Sequence, residues 1–293
     1  MGIYEGISRA NEAIIAAGFY TNQKGHRVDL ADDVAEACQG TRSYSPDQTE
    51  ALLDAAKQAG GGEGQQLHET EFEVTDETST AAGQRLVLDE GEENVAILNF
   101  ASARNPGGGY LGGARAQEED ICRSSALYTT LLEAPDYYAA HRQSGDTRYS
   151  HRVIYSPDVP VYRDSRTKLL DDPYFVSFLT SPAPNAGALS RHEPGALREV
   201  PALLAERSAR VLAVAAHHGV GTLVLGAWGC GVFRNNPTTV ATAFRTHLTG
   251  GGDFAGRFPR VVFAVYDTSS AKTVLTAFRD VFAGQVKGTA TTS

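Results

Sequence analysis

The sequence predicts an α/β protein whose strands and helices form separate layers, and two observations carry that prediction. From about residue 70 onward, short apolar runs typical of buried strands alternate with segments whose apolar residues recur at helical spacing. Two of the strand-to-helix connections, 105–119 and 226–237, are rich in glycine, as expected where a ligand binds at the carboxyl ends of strands. The chain has 293 residues, 42% of them hydrophobic, which is enough for one large domain or a domain with an extension.

Residues 1–65 are predicted to form a mostly helical N-terminal extension, followed by a catalytic domain over 66–284 and a disordered tail over 285–293. Within the extension, helical spacing predicts a helix over 2–18, a hairpin or extended ribbon over 19–30, a short helix to Cys38 and a helix from 45 to 59. The glycine run 60–64 predicts a flexible linker because no strand precedes it.

In the main domain, the strands predicted are 71–75, 95–98, 153–155, 159–162, 175–179, 222–225 and 261–266, with prolines placing 159–162 at an edge. The helices predicted are 79–88, one running from the glycine-rich motif through 132, a helical turn after 135, and helices over 195–217, 236–248 and 271–282. Residues 181–185 are predicted to be a turn-rich loop.

Composition excludes several classes of protein. The net charge of −9 argues against general nucleic-acid binding, which depends on clustered Lys and Arg. No apolar run approaches the length of a membrane span, and residues 1–5 lack the features of a signal peptide. Cys38, Cys122 and Cys230 have no metal-site spacing, which predicts reduced thiols in the cytoplasm and no metal ion.

The stretch from Asn105 to Glu119 joins a predicted buried strand to a predicted helix. Its three consecutive glycines allow close approach of a ligand to the backbone, and a helix N-terminus adds positive partial charge at the same place. The Lys-Ser/Thr of a nucleotide-triphosphate P-loop is absent, and Gly112 gives only a weak match to the dinucleotide-binding pattern. An anion-binding loop beside two carboxylates predicts chemistry on a phosphate-containing substrate.

Three glycines followed seven residues later by Gln117-Glu118-Glu119 resemble the signature of poly(ADP-ribose) glycohydrolases. The resemblance covers roughly residues 70–283, and the helical extension resembles that of the bacterial-type members. It implies a macrodomain-like three-layer α/β/α fold with a mixed central sheet. It also implies hydrolysis of ribose–ribose O-glycosidic bonds in poly(ADP-ribose), by exo action that releases ADP-ribose, without a cofactor.

The resemblance assigns catalysis to Glu119, as general acid and then general base, while Glu118 orients ribose hydroxyls. Consecutive helical residues diverge by about 100°, so only one of the two glutamates can point at the scissile bond. The alternative is a pair of solvated glutamates favoured by the helix dipole. The same dipole favours the ionised form, whereas a general acid must be protonated.

The resemblance also implies that both glycine-rich loops hold the diphosphate through backbone amides and that Phe233 packs against the distal ribose and adenine. The predicted substrate-binding residues are Asn105, Gly107, Gly108, Gly109, Gln117, Gly229, Cys230, Gly231, Val232 and Phe233. For Phe233 a core position is the alternative, and for Asn105 a plain turn residue. Cys230 lacks a paired His nearby in sequence and is interpreted as a small loop residue rather than a nucleophile.

Two other functions remain open at this point. One is removal of a mono-ADP-ribosyl group from protein or nucleic acid, and the other is a non-catalytic ADP-ribose reader. The reader is disfavoured because Gln117-Glu118-Glu119 would have no purpose in it. The expected partners are poly(ADP-ribose) or ADP-ribosylated proteins, with ADP-ribose as product.

Overall fold

The computed structural model describes residues 2–59 and 67–285. The predicted linker at 60–64 and the predicted tail, apart from Gln285, lie outside the described residues. The strands are β1 (Phe19–Thr21), β2 (Arg27–Asp29), β3 (Arg42–Tyr44), β4 (Glu71–Thr75), β5 (Val95–Phe100), β6 (Val153–Arg163), β7 (Leu169–Ser181), β8 (Thr222–Gly226) and β9 (Arg260–Ala264). The α-helices are α1 (Ile3–Ala17), α2 (Ala31–Gly40), α3 (Pro46–Ala59), α4 (Ser79–Gln84), α5 (Gln117–Ser124), α6 (Leu127–Leu131), α7 (Pro135–Ser144), α8 (Ala186–His192), α9 (Val200–His217), α10 (Pro237–Leu248) and α11 (Thr273–Val281).

The main sheet has seven strands in the order β3-β6-β7-β5-β8-β9-β4, and β1 and β2 form a separate hairpin. Strand β5 lies at the centre and pairs in parallel with β7 on one side and β8 on the other. Strand β6 is antiparallel to β7 and to β3, which makes the sheet mixed, as predicted. Because β5 and β8 are parallel neighbours, the loops that leave their carboxyl ends emerge side by side.

Successive residues of β5 alternate between two hydrophobic cores, one on each face of the sheet. Ala96 and Leu98 belong to the core shared with α9, α10 and α11. Val95 and Ile97 belong to the other core, which includes residues of α5, α6 and α7. This alternation is the side-chain period of a strand buried on both faces, and it confirms the three-layer α/β/α fold.

Three local predictions need correction, and one helix was not predicted. The segments 153–155 and 159–162 are not two short strands but the single strand β6, whose register against β7 shifts between Ser156 and Val159. The predicted helix after the glycine motif is divided into α5 and α6, because the backbone at Ser125 bridges to Val161. The predicted helix 79–88 is α-helical only to Gln84 and continues as a π-helical turn. Helix α8, directly after the turn-rich loop, was not predicted.

The N-terminal segment is mostly helical, and its hairpin lies where the sequence placed it. It also contributes β3 to the main sheet, antiparallel to Val153–Tyr155 of β6. The boundary near residue 65 stays a prediction. Within 2–59 and 67–285, no helix has both the length and the apolar character that crossing a membrane requires.

Candidate active site

The first glycine-rich loop leaves β5 and turns sharply at its glycines. Gly107 and Gly108 have φ values of +64° and +58°, in the left-handed region that favours glycine. A side chain at Gly108 would also meet the carboxylates, because a Cβ there would lie 2.5 Å from Oε1 of Glu119 and 3.1 Å from Oε2 of Glu118. The loop therefore needs glycine at this point so that both carboxylates can approach its backbone.

The Glu119 carboxylate is held by two backbone amides from opposite ends of the loop segment 109–116. Gly109 N–H donates to Oε1 at 2.8 Å and Ala116 N–H donates to Oε2 at 3.0 Å. Ala116 is the N-cap of α5, and Glu119 bonds back to it as in half of a capping box. The residue is 7% exposed, and the two hydrogen bonds fix the orientation of its carboxylate.

The Glu118 carboxyl lies deeper, against the end of β5. Oε2 accepts the Ser102 N–H at 2.7 Å, and Oε1 accepts from Nδ2 of Asn99 at 3.2 Å. Burial raises the pKa of Glu118 to about 8, an effect that these hydrogen bonds offset in part and that the neighbouring Glu119 reinforces. Burial therefore favours the protonated form of Glu118 over what an exposed glutamate would show.

Gln117 joins the start of α5 to β5. Its Oε1 accepts the Phe100 N–H at 2.8 Å, and its Nε2 donates to the Leu98 carbonyl at 2.8 Å and to Oγ of Ser79 at 3.0 Å. The amide predicted to bind substrate is thus engaged with the protein itself. These hydrogen bonds connect the residue directly before the two glutamates to the end of β5.

The predicted backbone clamp is divided between the two loops. In the first loop, Gly108 N–H donates to the Asn105 carbonyl and Gly109 N–H to Glu119. The Asn105 side chain is exposed beside that turn. In the second loop, the N–H groups of Gly231 and Val232 have no acceptor among the described residues, and both residues are exposed. The second loop therefore presents unoccupied donors to an anion.

The second loop is itself held tightly at its base. Gly229 has φ +70°, and a side chain there would collide with Nδ2 of Asn235 and with Ala183. Asn235 is buried and donates from Nδ2 to the Pro184 carbonyl at 2.9 Å. Burial raises the pKa of the Cys230 thiol to about 12, so this cysteine is a thiol at neutral pH and a poor nucleophile.

Phe233 is half-buried and packs against Tyr149, with 5.8 Å between ring centroids. Tyr149 has φ +57°, a strained conformation for a bulky residue, and the buried Arg207 donates to its carbonyl at 3.3 Å. The Tyr149 ring lies edge-on to His141 on its other side. The pair forms an aromatic wall at the second loop.

Several residues of the site were not predicted from the amino-acid sequence. Asn99 is a fully buried amide in an otherwise apolar strand, and that polar interruption was the one visible signal. Ser102, Tyr149 and Arg207 carry no local signal because their roles depend on distant contacts.

A family model described as the catalytic domain of microbial-type PARG matches residues 8–164. The chain is similar to a poly(ADP-ribose) glycohydrolase from Thermomonospora curvata, with 47% identity over 95% of this chain and 99% of that chain and a TM-score of 0.89. It is also similar to that organism's enzyme bound to the inhibitor ADP-HPD, with 46% identity over 94% of this chain and 98% of that chain and a TM-score of 0.86.

A third similar structure is the poly(ADP-ribose) glycohydrolase of Deinococcus radiodurans in complex with ADP-ribose. Its identity is 47% over 86% of this chain and 97% of that chain, with a TM-score of 0.79. The comparison with curated proteins gave no match. The fold and these similarities together define a macrodomain-like glycohydrolase. The chain belongs to the microbial-type PARG family, and its function is poly(ADP-ribose) glycohydrolysis.

Proposed function

We propose that the protein removes ADP-ribose units from the ends of poly(ADP-ribose), with Glu119 as general acid and then general base. The observation that carries this proposal is the anchoring of the Glu119 carboxylate by the Gly109 and Ala116 amides, at 2.8 and 3.0 Å. A catalytic carboxyl needs a fixed orientation toward the bond that breaks. Here the orientation comes from backbone that the glycines bring close.

In this mechanism protonated Glu119 donates its proton to the leaving 2′-oxygen while the bond to the anomeric carbon breaks and an oxocarbenium-like centre forms. The resulting carboxylate takes a proton from water as the water oxygen bonds to that carbon, which restores the acid. A carboxylate has about four lone-pair sites. The two amides occupy two of them, which leaves sites for the transferred proton.

Glu118 would orient the ribose of the scissile bond. The expectation from resemblance was a carboxylate that binds ribose hydroxyls. With its pKa raised to about 8 by burial, Glu118 is better suited to donating its own proton to a ribose hydroxyl oxygen. A neutral Glu118 also spares Glu119 an adjacent negative charge when Glu119 becomes ionised.

The rest of the substrate would lie along the second loop. The free amides of Gly231 and Val232 suit the diphosphate, and the aromatic wall of Tyr149 and Phe233 suits the distal ribose and adenine. The proposed partners are poly(ADP-ribose) and proteins that carry it. Three free cysteines support a reducing, cytoplasmic compartment.

The test compares Glu119→Gln and Glu118→Gln with Asp120→Asn as a matched control. Asp120 lies on the same first turn but faces Thr80, whose hydroxyl is 3.4 Å away. Single-turnover cleavage of poly(ADP-ribose) should fall by about 10²–10⁴-fold in Glu119→Gln, the usual contribution of general acid–base catalysis. Glu118→Gln should lose less because glutamine can still donate a hydrogen bond, and Asp120→Asn should cleave normally.

Calorimetric affinity for ADP-ribose should change little in Glu119→Gln, since the second loop holds the diphosphate. Near-normal cleavage by folded Glu119→Gln would remove this residue as the acid. Product analysis by size separates exo from endo action, because exo action yields ADP-ribose from the start. Mono-ADP-ribosylated protein, incubated in parallel, tests the mono-ADP-ribosyl hydrolase alternative.

A further inference from the structure

Helix α1 docks onto the main domain through polar side chains. The residues of α1 that are fully buried are Ser8 and Asn11, three positions apart on one face, while Ile3 is 81% exposed. Burying polar groups costs free energy unless each is hydrogen-bonded. Besides the apolar packing of the half-buried Ile14 and Ile15 on the core, α1 therefore gains position-specific hydrogen bonds at Ser8 and Asn11.

Those bonds reach the segment 109–116, whose two ends hold the Glu119 carboxylate. Oγ of Ser8 donates to the Tyr110 carbonyl at 2.7 Å. The Tyr110 hydroxyl in turn lies 3.0 Å from Oε1 of Glu12, one turn further along α1. Tyr110, which directly follows Gly109, is thus hydrogen-bonded to α1 through both its backbone and its side chain.

The far half of the segment is fixed to α1 as well. Gly113 packs so closely on the α1 backbone that a Cβ there would lie 2.9 Å from the Glu5 nitrogen. The Arg115 guanidinium lies 4.4 Å from the centroid of the Tyr4 ring. That contact adds a cation–π attraction immediately before the Ala116 anchor.

Asn11 connects α1 to the helix that carries the glutamates. Its Nδ2 donates to the Arg123 carbonyl, and its Oδ1 accepts from Nε of Arg163 at 2.6 Å. Arg123 donates from Nη1 to the Ala114 carbonyl at 2.6 Å, inside the same segment. Among the described residues, the hydrogen bonds of α1 therefore go to the segment 109–116, to the end of α5 and to Arg163, and none goes to the second glycine-rich loop.

We infer that α1 is a positioning element of the catalytic centre, and that Ser8 and Tyr110 set the place of the Glu119 carboxyl through the Gly109 and Ala116 amides. This inference rests on the proposed role of Glu119. Because α1 contacts the frame of the acid and not the diphosphate loop, its loss should slow cleavage while leaving ADP-ribose binding nearly intact. A misplacement of about 1 Å at a catalytic group can cost about 100-fold in rate.

The experiment uses the full chain with Ser8→Ala and Tyr110→Phe, and with Arg9→Ala as the matched control. Arg9 neighbours Ser8 but lies on the exposed face, where it pairs with Glu5. Ser8→Ala should lower single-turnover cleavage of poly(ADP-ribose) by about 10- to 100-fold, the scale of a small misplacement. Calorimetric affinity for ADP-ribose should be nearly unchanged, and Arg9→Ala should cleave normally. If Ser8→Ala does not fold, Tyr110→Phe, which removes one oxygen, decides the question.

A double-mutant cycle with Glu119→Gln shows whether Ser8 acts through the acid. If it does, Ser8→Ala should have little further effect in the Glu119→Gln background, because effects of residues that act as a unit are not additive. An equal loss in both backgrounds, or a normal rate in folded Ser8→Ala, overturns the inference.

Amide hydrogen exchange separates this inference from the proposed function. Exchange at Gly109 and Ala116 should rise in Ser8→Ala and remain unchanged in Arg9→Ala. If Glu119→Gln alone cleaves normally, the proposed acid is refuted, whereas the exchange still reports whether α1 holds the segment. If exchange stays at the wild-type level in Ser8→Ala, the positioning role of α1 is overturned whatever the role of Glu119.

Discussion

Replacing Gly108 by alanine should damage catalysis far more than stability. Two separate effects contribute. The residue has φ +58°, and placing a Cβ in the left-handed region costs about 1–2 kcal/mol. The entropy of unfolding is about 2.1 cal/mol/K per residue. Over the 293 residues of this chain, a loss of 1–2 kcal/mol in the free energy of unfolding therefore lowers Tm by only about 2–3 °C.

The larger effect is on the carboxylates. The new Cβ would lie 2.5 Å from Oε1 of Glu119, whereas ordinary contact begins at 3.4 Å. Restoring that distance moves the carboxyl by about 1 Å, a displacement that can lower the rate by about 100-fold. Oε2 of Glu118 would lie 3.1 Å from the same Cβ, so both glutamates are displaced together.

The assay is single-turnover cleavage of poly(ADP-ribose), run beside thermal unfolding and ADP-ribose calorimetry. Gly112→Ala is the matched control, because it lies in the same loop and a Cβ there would have no heavy atom within 4 Å. The control should cleave normally. A Gly108→Ala protein that cleaves at close to the wild-type rate, despite the lower Tm, would refute the reasoning that the glycine exists to admit the carboxylates.

Three further predictions concern binding, metal ions and pH. Phe233→Ala should weaken ADP-ribose binding by about 1–3 kcal/mol, the scale of base–aromatic stacking. The control Phe175→Ala, which changes an exposed ring, should bind normally. Equal calorimetric affinities of the two variants would show that Phe233 is a core residue and not a ligand contact. Activity should survive dialysis against EDTA, because the described residues contain no group of three or more His, Cys, Asp or Glu able to hold a metal; a loss restored by Mg²⁺ or Zn²⁺ contradicts this. The pKa of Glu118 is raised from 4.5 to about 8, so between those pH values unfolding releases a proton and stability falls as pH rises. Glu118→Gln should flatten that part of a denaturation series, and an unchanged slope counts against the protonated Glu118.

The parts of the fold that could be predicted from the sequence are those that depend on residues close together in the chain. Strand β5 is a continuous run of apolar residues, and the glycines that follow it mark a loop, so both could be located without a structure. Strand β6 was misjudged because Pro157 falls within it. Proline usually ends a strand, but here the register shift between Ser156 and Val159 accommodates it.

The parts of the site that sequence could not predict depend on contacts between distant segments. Tyr149 contacts Phe233 from 84 positions away in the chain, and a third distant residue, Arg207, donates to the Tyr149 carbonyl. Helix α1 was predicted from the spacing of Ile and Ala residues, yet its fully buried residues are Ser8 and Asn11. Periodicity indicates that a helix forms, and Ile14 and Ile15 do pack on the core, but the full burial of Ser8 and Asn11 depends on polar partners in distant segments.

The two adjacent glutamates end in different environments because of the helix on which they lie. Successive side chains on a helix diverge by about 100°, so one residue turns back toward β5 while the next faces the glycine-rich loop. Glu118 is buried against Asn99 and has its pKa raised to about 8. The Glu119 carboxylate accepts hydrogen bonds from the Gly109 and Ala116 amides. The two carboxyls therefore have different hydrogen-bond partners although they are adjacent in the sequence. Both environments depend on the position at which α5 begins, and Gln117 fixes that position through its hydrogen bond to Phe100. Gln117→Ala should therefore impair both roles together, with the rate of cleavage and the pH dependence of stability changing in the same variant.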